Sequence, residues 1–160
     1  MKFAVSKDLG KEGMVYLLEI DVDGKMVQKI GITTRKIEDR VVEITASYFK
    51  GRRYFPFVRP KRFRKANDIL DKEQSILEWC KEYKFTPEKR FQGSSELLDM
   101  NLDVLVTLYE QVIEGRELIN VQWEACEECG KDKKFVKFNE DGSETLVCGK
   151  DCCAEESNEE

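Results

Sequence analysis

The sequence predicts a small α/β fold of the α+β kind, an antiparallel sheet flanked by helices, followed by a compact cysteine-rich module. Three observations predict it. Two apolar, β-prone runs, Met14 to Ile20 and Met26 to Thr33, flank an Asp-Gly turn. Three later segments repeat apolar residues at helical spacing. Two cysteine pairs, Cys126-x2-Cys129 and Cys148-x3-Cys152, then close the chain.

The elements follow in order. Residues 1 to 12 read as a polar lead-in. The runs about Asp21-Val-Asp-Gly-Lys25 form a β-hairpin, because Asp-Gly supplies the positive φ angles of a tight turn. Thr33 or Thr34 can cap a helix to about Tyr48, with Ile37, Val41, Ile44 and Tyr48 on one face. Lys50 to Phe63 holds Pro56 and Pro60, which predicts an irregular or edge strand and no helix. Asn67 or Asp68 can cap a second helix to about Tyr83. Its inner side carries Ala66, Ile69, Leu70, Glu73, Ile76, Leu77 and Cys80. Glu73 is the odd member, since a carboxylate on an apolar face is costly unless it is paired or ligates a metal. Pro87 to Ser95 reads as a loop. Asn101 or Met100 opens a third helix to about Gly115, with Leu102, Leu105, Leu108, Tyr109 and Val112 inward. The expected domains are 1–116, 120–153 and a disordered acidic tail, 154–160.

Charge is unevenly spread. The net charge is −5, yet Lys50, Arg52, Arg53, Arg59, Lys61, Arg62, Arg64 and Lys65 crowd sixteen residues that contain no acid. Rings at Tyr54, Phe55, Phe57 and Phe63 alternate with these cations. That composition suits nucleic acid, with Arg52, Arg53, Arg59, Lys61, Arg62 and Arg64 as expected phosphate contacts and the rings as stacking surfaces. No run is apolar enough to span a membrane, and the start lacks a signal-peptide core. The expected setting is the cytoplasm, where cysteines serve as thiols or metal ligands. The chain has no histidine, so a zinc site must be all-thiolate and catalysis cannot use imidazole.

Cys126, Cys129, Cys148 and Cys152 give four thiolates for one structural zinc, with Cys152 preferred over its neighbour Cys153. Gly130 relieves the turn after the first pair, and Asn139-Glu-Asp-Gly142 is the hairpin turn between the pairs. The pattern resembles small treble-clef fingers. Such a finger would contact DNA or a protein partner. Cys80 reads as a buried small hydrophobe.

The first hundred residues resemble the GIY-YIG nuclease superfamily, in the phage and bacterial branch whose second motif reads Lys-Ile-Gly. The matching pieces are Met14-Val15-Tyr16, Lys29-Ile30-Gly31, Arg40, Glu73 and the loop Phe91-Gln92-Gly93-Ser94-Ser95-Glu96. The resemblance implies hydrolysis of DNA phosphodiester bonds. Tyr16 would stand near the attacking water, Arg40 would stabilise the phosphate, and Glu73 would hold one Mg²⁺ or Mn²⁺. Lys29 takes the place of the family's second tyrosine. Gln92 is the nearest candidate for its late asparagine, and Glu96 is either a site residue or a helix-start carboxylate. The resemblance also implies a phage or bacterial host cytoplasm. Two other classes use the same residues: a nucleic-acid-binding protein of this fold without catalysis, and an interaction protein working through its zinc module.

Overall fold

The computed structural model describes residues 12–118 and 122–152. The acidic tail, Cys153, most of the polar lead-in and part of the expected interdomain boundary lie outside the described residues. The chain forms two compact units, Met1–Asp99 and Met100–Glu160.

In the first unit, β1 (Glu12–Val22) and β2 (Lys25–Thr33) pair antiparallel, with Val22 opposite Lys25. Asp23 and Gly24 between them have φ of 51° and 92°. Both values are positive, as the predicted two-residue turn demands. α1 spans Ile37–Arg52. Neither threonine caps it: Lys36 is the cap residue and makes no side-chain cap bond, while Thr33 Oγ1 accepts from Arg35 N at 3.0 Å. The helix also runs past the predicted end at Tyr48. It stops where Arg53 turns left-handed, at φ 70°. Pro56 restricts the backbone only at itself and the residue before it, so nothing forbade the extra turn.

That extra turn is held from a distance. Arg52 is a member of the basic segment, yet its side chain is only 4% exposed. Its Nε and Nη2 donate to the two Asp23 oxygens at 2.7 and 3.0 Å, and Nη2 also reaches Lys89 O at 2.8 Å. The guanidinium lies 4.1 Å from the Tyr48 ring centroid, and the Tyr48 and Tyr54 hydroxyls both bond Asp23. These bonds, Arg52 first, hold the Asp23 carboxyl well below the usual range. A depressed carboxyl stabilises the fold above its unfolded value near 4 and loses that contribution as pH falls. We expect Asp23→Ala to cost about 2 kcal/mol at pH 7 in denaturant melts, discounted for the partial exposure of Asp23. The deficit should shrink below pH 4. An unchanged midpoint would remove the hairpin-to-helix clamp from the account.

β3 (Val58–Asn67) is one edge strand of a four-stranded sheet ordered β3-β1-β2-β4, and the other, β4, is only Leu97–Leu98. Pro60 stands opposite Leu18, where the register shifts between Leu17 and Leu18. An edge and a bulge are where a strand tolerates a missing N–H. α2 (Ile69–Trp79) is shorter than predicted: Cys80 is its C-terminal cap residue, and Lys81–Tyr83 form a separate 3-10 turn. Asp68 is its cap residue, left-handed at φ 51° and without a side-chain bond. Tyr16, Leu18 and Ile20 pack with Ile37, Ile44, Tyr48, Phe91 and Leu97 in one core. α2 packs on β1 and β2, and Ile69, Ile76 and Cys80 are buried. As predicted, Cys80 is a buried thiol.

In the second unit, α3 (Leu102–Ile113) packs against β5 (Phe135–Phe138), which pairs with β6 (Glu144–Val147) in a hairpin. The sequence grouped this helix with the first domain, whereas it falls within Met100–Glu160. A four-cysteine module has little core of its own, and α3 brings Val104, Leu105, Leu108, Tyr109 and Val112 as buried side chains. Asn101 caps the helix through its side chain, accepting from Val104 N at 3.0 Å. Among the described residues, no helix is long and apolar enough to cross a membrane.

Candidate functional site

The hairpin sets the first members of a polar cluster. Tyr16 stands opposite Gly31. A Cβ on Gly31 would fall inside van der Waals contact with the Tyr16 ring and hydroxyl. The glycine therefore clears space for the ring, which is fully buried. We expect Gly31→Ala to displace Tyr16 and cost about 3 kcal/mol of stability. A structure of a well-folded variant with Tyr16 unmoved would contradict this.

Arg40 comes from the first turns of α1. Its Nε donates to Tyr16 Oη at 3.1 Å and its Nη1 to Glu43 Oε1 at 3.2 Å. Glu43 also pairs with Arg35 at 2.7 Å. Burial opposes charge on Arg40, but Tyr16 and Glu43 outweigh it and keep the guanidinium firmly protonated. Burial pushes the Tyr16 hydroxyl above its usual value, against the pull of Arg40. Tyr16 therefore keeps its proton at neutral pH and uses an oxygen lone pair to accept from Arg40.

Lys29 lies on β2 and is fully buried. Its Nζ donates to Glu96 Oε1 at 2.8 Å and to Ile30 O at 3.4 Å, and lies 5.9 Å from the Tyr16 ring centroid. Burial pushes its amine below the usual value, and Glu96 pulls it back up. Glu96 sits in a 3-10 turn, Ser94–Glu96, just before β4. Burial would raise its carboxyl, but Lys29 outweighs that and holds it below the usual range. Gly93 makes this meeting possible. It is left-handed at φ 87°, and a Cβ there would stand 2.8 Å from Lys29 Cε.

Glu73, on α2, is 6% exposed. Gln74 Nε2 donates to Glu73 Oε1 at 3.3 Å. Burial first, and then the charge of Glu96, push the Glu73 carboxyl up to about 7, while Lys29 and Arg40 oppose the shift. Tyr16, Lys29, Arg40 and Glu73 are thus brought into one electrostatic neighbourhood, and Glu96 joins them. Gln92 does not: it is exposed, and its N–H donates to Ser47 Oγ at 2.8 Å.

The basic segment divides. Arg52 is engaged with Asp23. Arg53 is exposed, with its guanidinium 6.0 Å from the Phe49 ring. Arg59 lies 3.7 Å from Glu19 and 5.2 Å from the Phe57 ring. Arg62 and Arg64 are exposed along β3, and Lys61 is half-buried at the bulge. Arg62 Nη1 donates to Lys61 O at 2.7 Å. Tyr54, Phe55, Phe57 and Phe63 all remain about half exposed or more. Phe55 stacks on Phe49 at 4.5 Å between centroids.

In the second unit, the sulfurs of Cys126, Cys129, Cys148 and Cys152 all lie within 4.8 Å of one another. Cys126 to Cys152 and Cys148 to Cys152 measure 3.4 Å, and Cys129 to Cys148 measures 3.7 Å. A tetrahedron of thiolates about 2.3 Å from a zinc ion has edges near 3.8 Å, so these four could hold zinc with little movement. Cys152 supplies the fourth sulfur of this cluster, and Cys153, its rival in the sequence, lies outside the described residues. Asn101, the cap of α3, also ties to the second knuckle: its N–H donates to Gly149 O and its Nδ2 to Asp151 Oδ1, both at 2.7 Å.

A family model described as the T5orf172 domain matches residues 13–131, a span that contains the whole polar cluster. No curated protein and no solved structure matches the chain.

Proposed function

This chain belongs to the T5orf172 domain family, a nuclease-related group, and on that premise we propose that it is a metal-dependent endonuclease of GIY-YIG type. It hydrolyses DNA phosphodiester bonds and is targeted in part by a four-cysteine zinc finger. The carrying observation is the convergence of Tyr16, Lys29, Arg40, Glu73 and Glu96, from separate segments, into one largely buried cluster.

Each residue has a task in this reading. Arg40 offsets charge that develops on the phosphate oxygens. Tyr16 has its lone pair occupied by Arg40, so its proton is available to orient water or a phosphoryl oxygen. Lys29 keeps Glu96 ionised and fixed in place. Glu73 is the ligand for Mg²⁺ or Mn²⁺. The donor chemistry fits, because a buried carboxyl raised to about 7 is one that a nearby cation would favour ionised. When bound, such a metal would polarise a phosphoryl oxygen and assist the leaving group. Arg53, Arg59, Arg62 and Arg64 supply salt-sensitive affinity for the DNA backbone, with Lys61 beside them. Arg52 acts mainly through the fold. Cys126, Cys129, Cys148 and Cys152 hold the zinc.

The test is cleavage of supercoiled, linear and single-stranded DNA, with and without Mg²⁺ or Mn²⁺, by wild type and Glu73→Gln. Metal-dependent cutting lost in the variant supports the reading. A DNA-binding protein without catalysis is the second reading, favoured by Lys29 in the tyrosine position and already engaged with Glu96. Salt-sensitive binding with no cleavage on any substrate would select it.

A further inference from the structure

Residues directly opposite each other in an antiparallel pair present their side chains to the same face. Phe63 on β3 stands opposite Tyr16, which stands opposite Gly31. Lys65 stands opposite Met14, which stands opposite Thr33. Phe63 and Lys65 therefore share the sheet face of Tyr16. Tyr16 is fully buried there, whereas Phe63 keeps 49% of its surface and Lys65 is exposed. A phenyl ring left half in water beside a buried polar cluster contributes little to the core.

A groove of about 210 Å³ opens on the same side, lined by Met14, Thr33, Thr34, Arg35 and Lys65, with Glu12. It connects to the cluster through one carboxylate: Glu43 accepts from Arg35 and from Arg40, and Arg40 bonds Tyr16. Arg35 is already paired with Glu43, so Lys65 supplies the groove's main attraction for an anion. Thr34 adds an exposed hydroxyl.

We propose that Phe63 and this groove form a nucleotide subsite for single-stranded DNA: Phe63 stacks on an unpaired base, and Lys65, with Thr34 and Arg35, holds a neighbouring phosphate. The proposal rests on the nuclease reading for what lies next to it, since the phosphate to be cut would sit at Arg40 and Tyr16. Stacking needs a base face, and a duplex hides its base faces within the stack. The subsite therefore selects strands whose bases are already unpaired.

The experiment uses the full chain carrying Glu73→Gln, so that no substrate is cut. Single-stranded oligodeoxynucleotides carry 2-aminopurine at successive positions. Binding should quench the fluorescence strongly at one position. Adding Phe63→Ala should abolish that quench and weaken single-strand binding about tenfold, while affinity for a duplex of the same sequence changes less than twofold. Phe63→Trp should preserve both signals. Lys65→Ala should lower the slope of log K against log salt by about 0.7 on the single strand. The proposal is overturned by a quench that survives Phe63→Ala, by equal losses on single strand and duplex, or by no binding of single-stranded DNA. The nuclease reading fails separately: a wild type that never cleaves while Phe63 still quenches is a stacking DNA-binding protein, and the subsite stands.

Discussion

Replacing Glu73 by Gln is expected to do two opposite things at once. In the proposed mechanism it removes the metal ligand, so cleavage should fall by about 10³-fold or more. Without added metal, the same change should make the protein more stable. Burial and Glu96 raise the Glu73 carboxyl from its ordinary 4.5 to about 7. The folded state then holds that proton more tightly than the unfolded chain does. Below about pH 4.5 the group is neutral in both states and costs nothing extra. As pH rises the cost grows, and it levels off above about 7. A shift of this size corresponds to about 3 kcal/mol at the plateau. Denaturant melts of wild type and Glu73→Gln, run from pH 4 to 8 without added divalent metal, should therefore diverge as pH rises, with the variant the more stable. Added Mg²⁺ should narrow the gap by stabilising wild type alone. Parallel curves across that range would mean that Glu73 is not a strained carboxyl, and the metal assignment would lose its physical support.

The second large effect concerns the four cysteines. One zinc per chain is expected in the purified protein, and its removal by a chelator should unfold residues 100–152 as a block. Structural zinc contributes apparent free energies of about 10–16 kcal/mol in small modules. The helix should go with the knuckles, because Asn101 both caps α3 and bonds Gly149 and Asp151. Residue-resolved hydrogen exchange would report this as lost protection over α3, β5 and β6 together, with β1 and β2 still protected. Cys152→Ser should lose the metal and Cys153→Ser should keep it. Retained protection in the metal-free chain would refute the zinc assignment.

Several signals carried by near neighbours are legible in the sequence, although the helix caps at Thr33 or Thr34 are not among them. The Asp23-Gly24 turn, the apolar face of α1 and the Asn101 cap each depend on neighbours a few residues away. Glu73 was visible because a carboxylate broke an apolar stripe. The cysteine pairs were visible because ligand spacing is itself local. What escaped depends on partners far along the chain. By composition Arg52 is a phosphate contact, yet the partner that engages it, Asp23, lies 29 residues earlier. The Lys29 bond to Glu96 spans 67 residues, and no local pattern joins them. β4 has two residues, too few to show an alternation. The end of α1 turns on a left-handed arginine, a stop that normally advertises itself as glycine.

The edge strand β3 has a consequence for how the protein behaves as a solute. An unpaired strand edge offers N–H and C=O groups to any other extended chain, and sheets commonly protect such edges with prolines, bulges and charges. β3 carries all three, with Pro60, the bulge at Lys61 opposite Leu17 and Leu18, and the exposed cations Arg59, Arg62, Arg64 and Lys65. The charges that would draw DNA to this strand would also oppose the addition of a second copy to the sheet. A drift of these positions toward neutrality would trade weaker DNA attraction for self-association. That double duty limits how far this surface can be retuned for affinity alone.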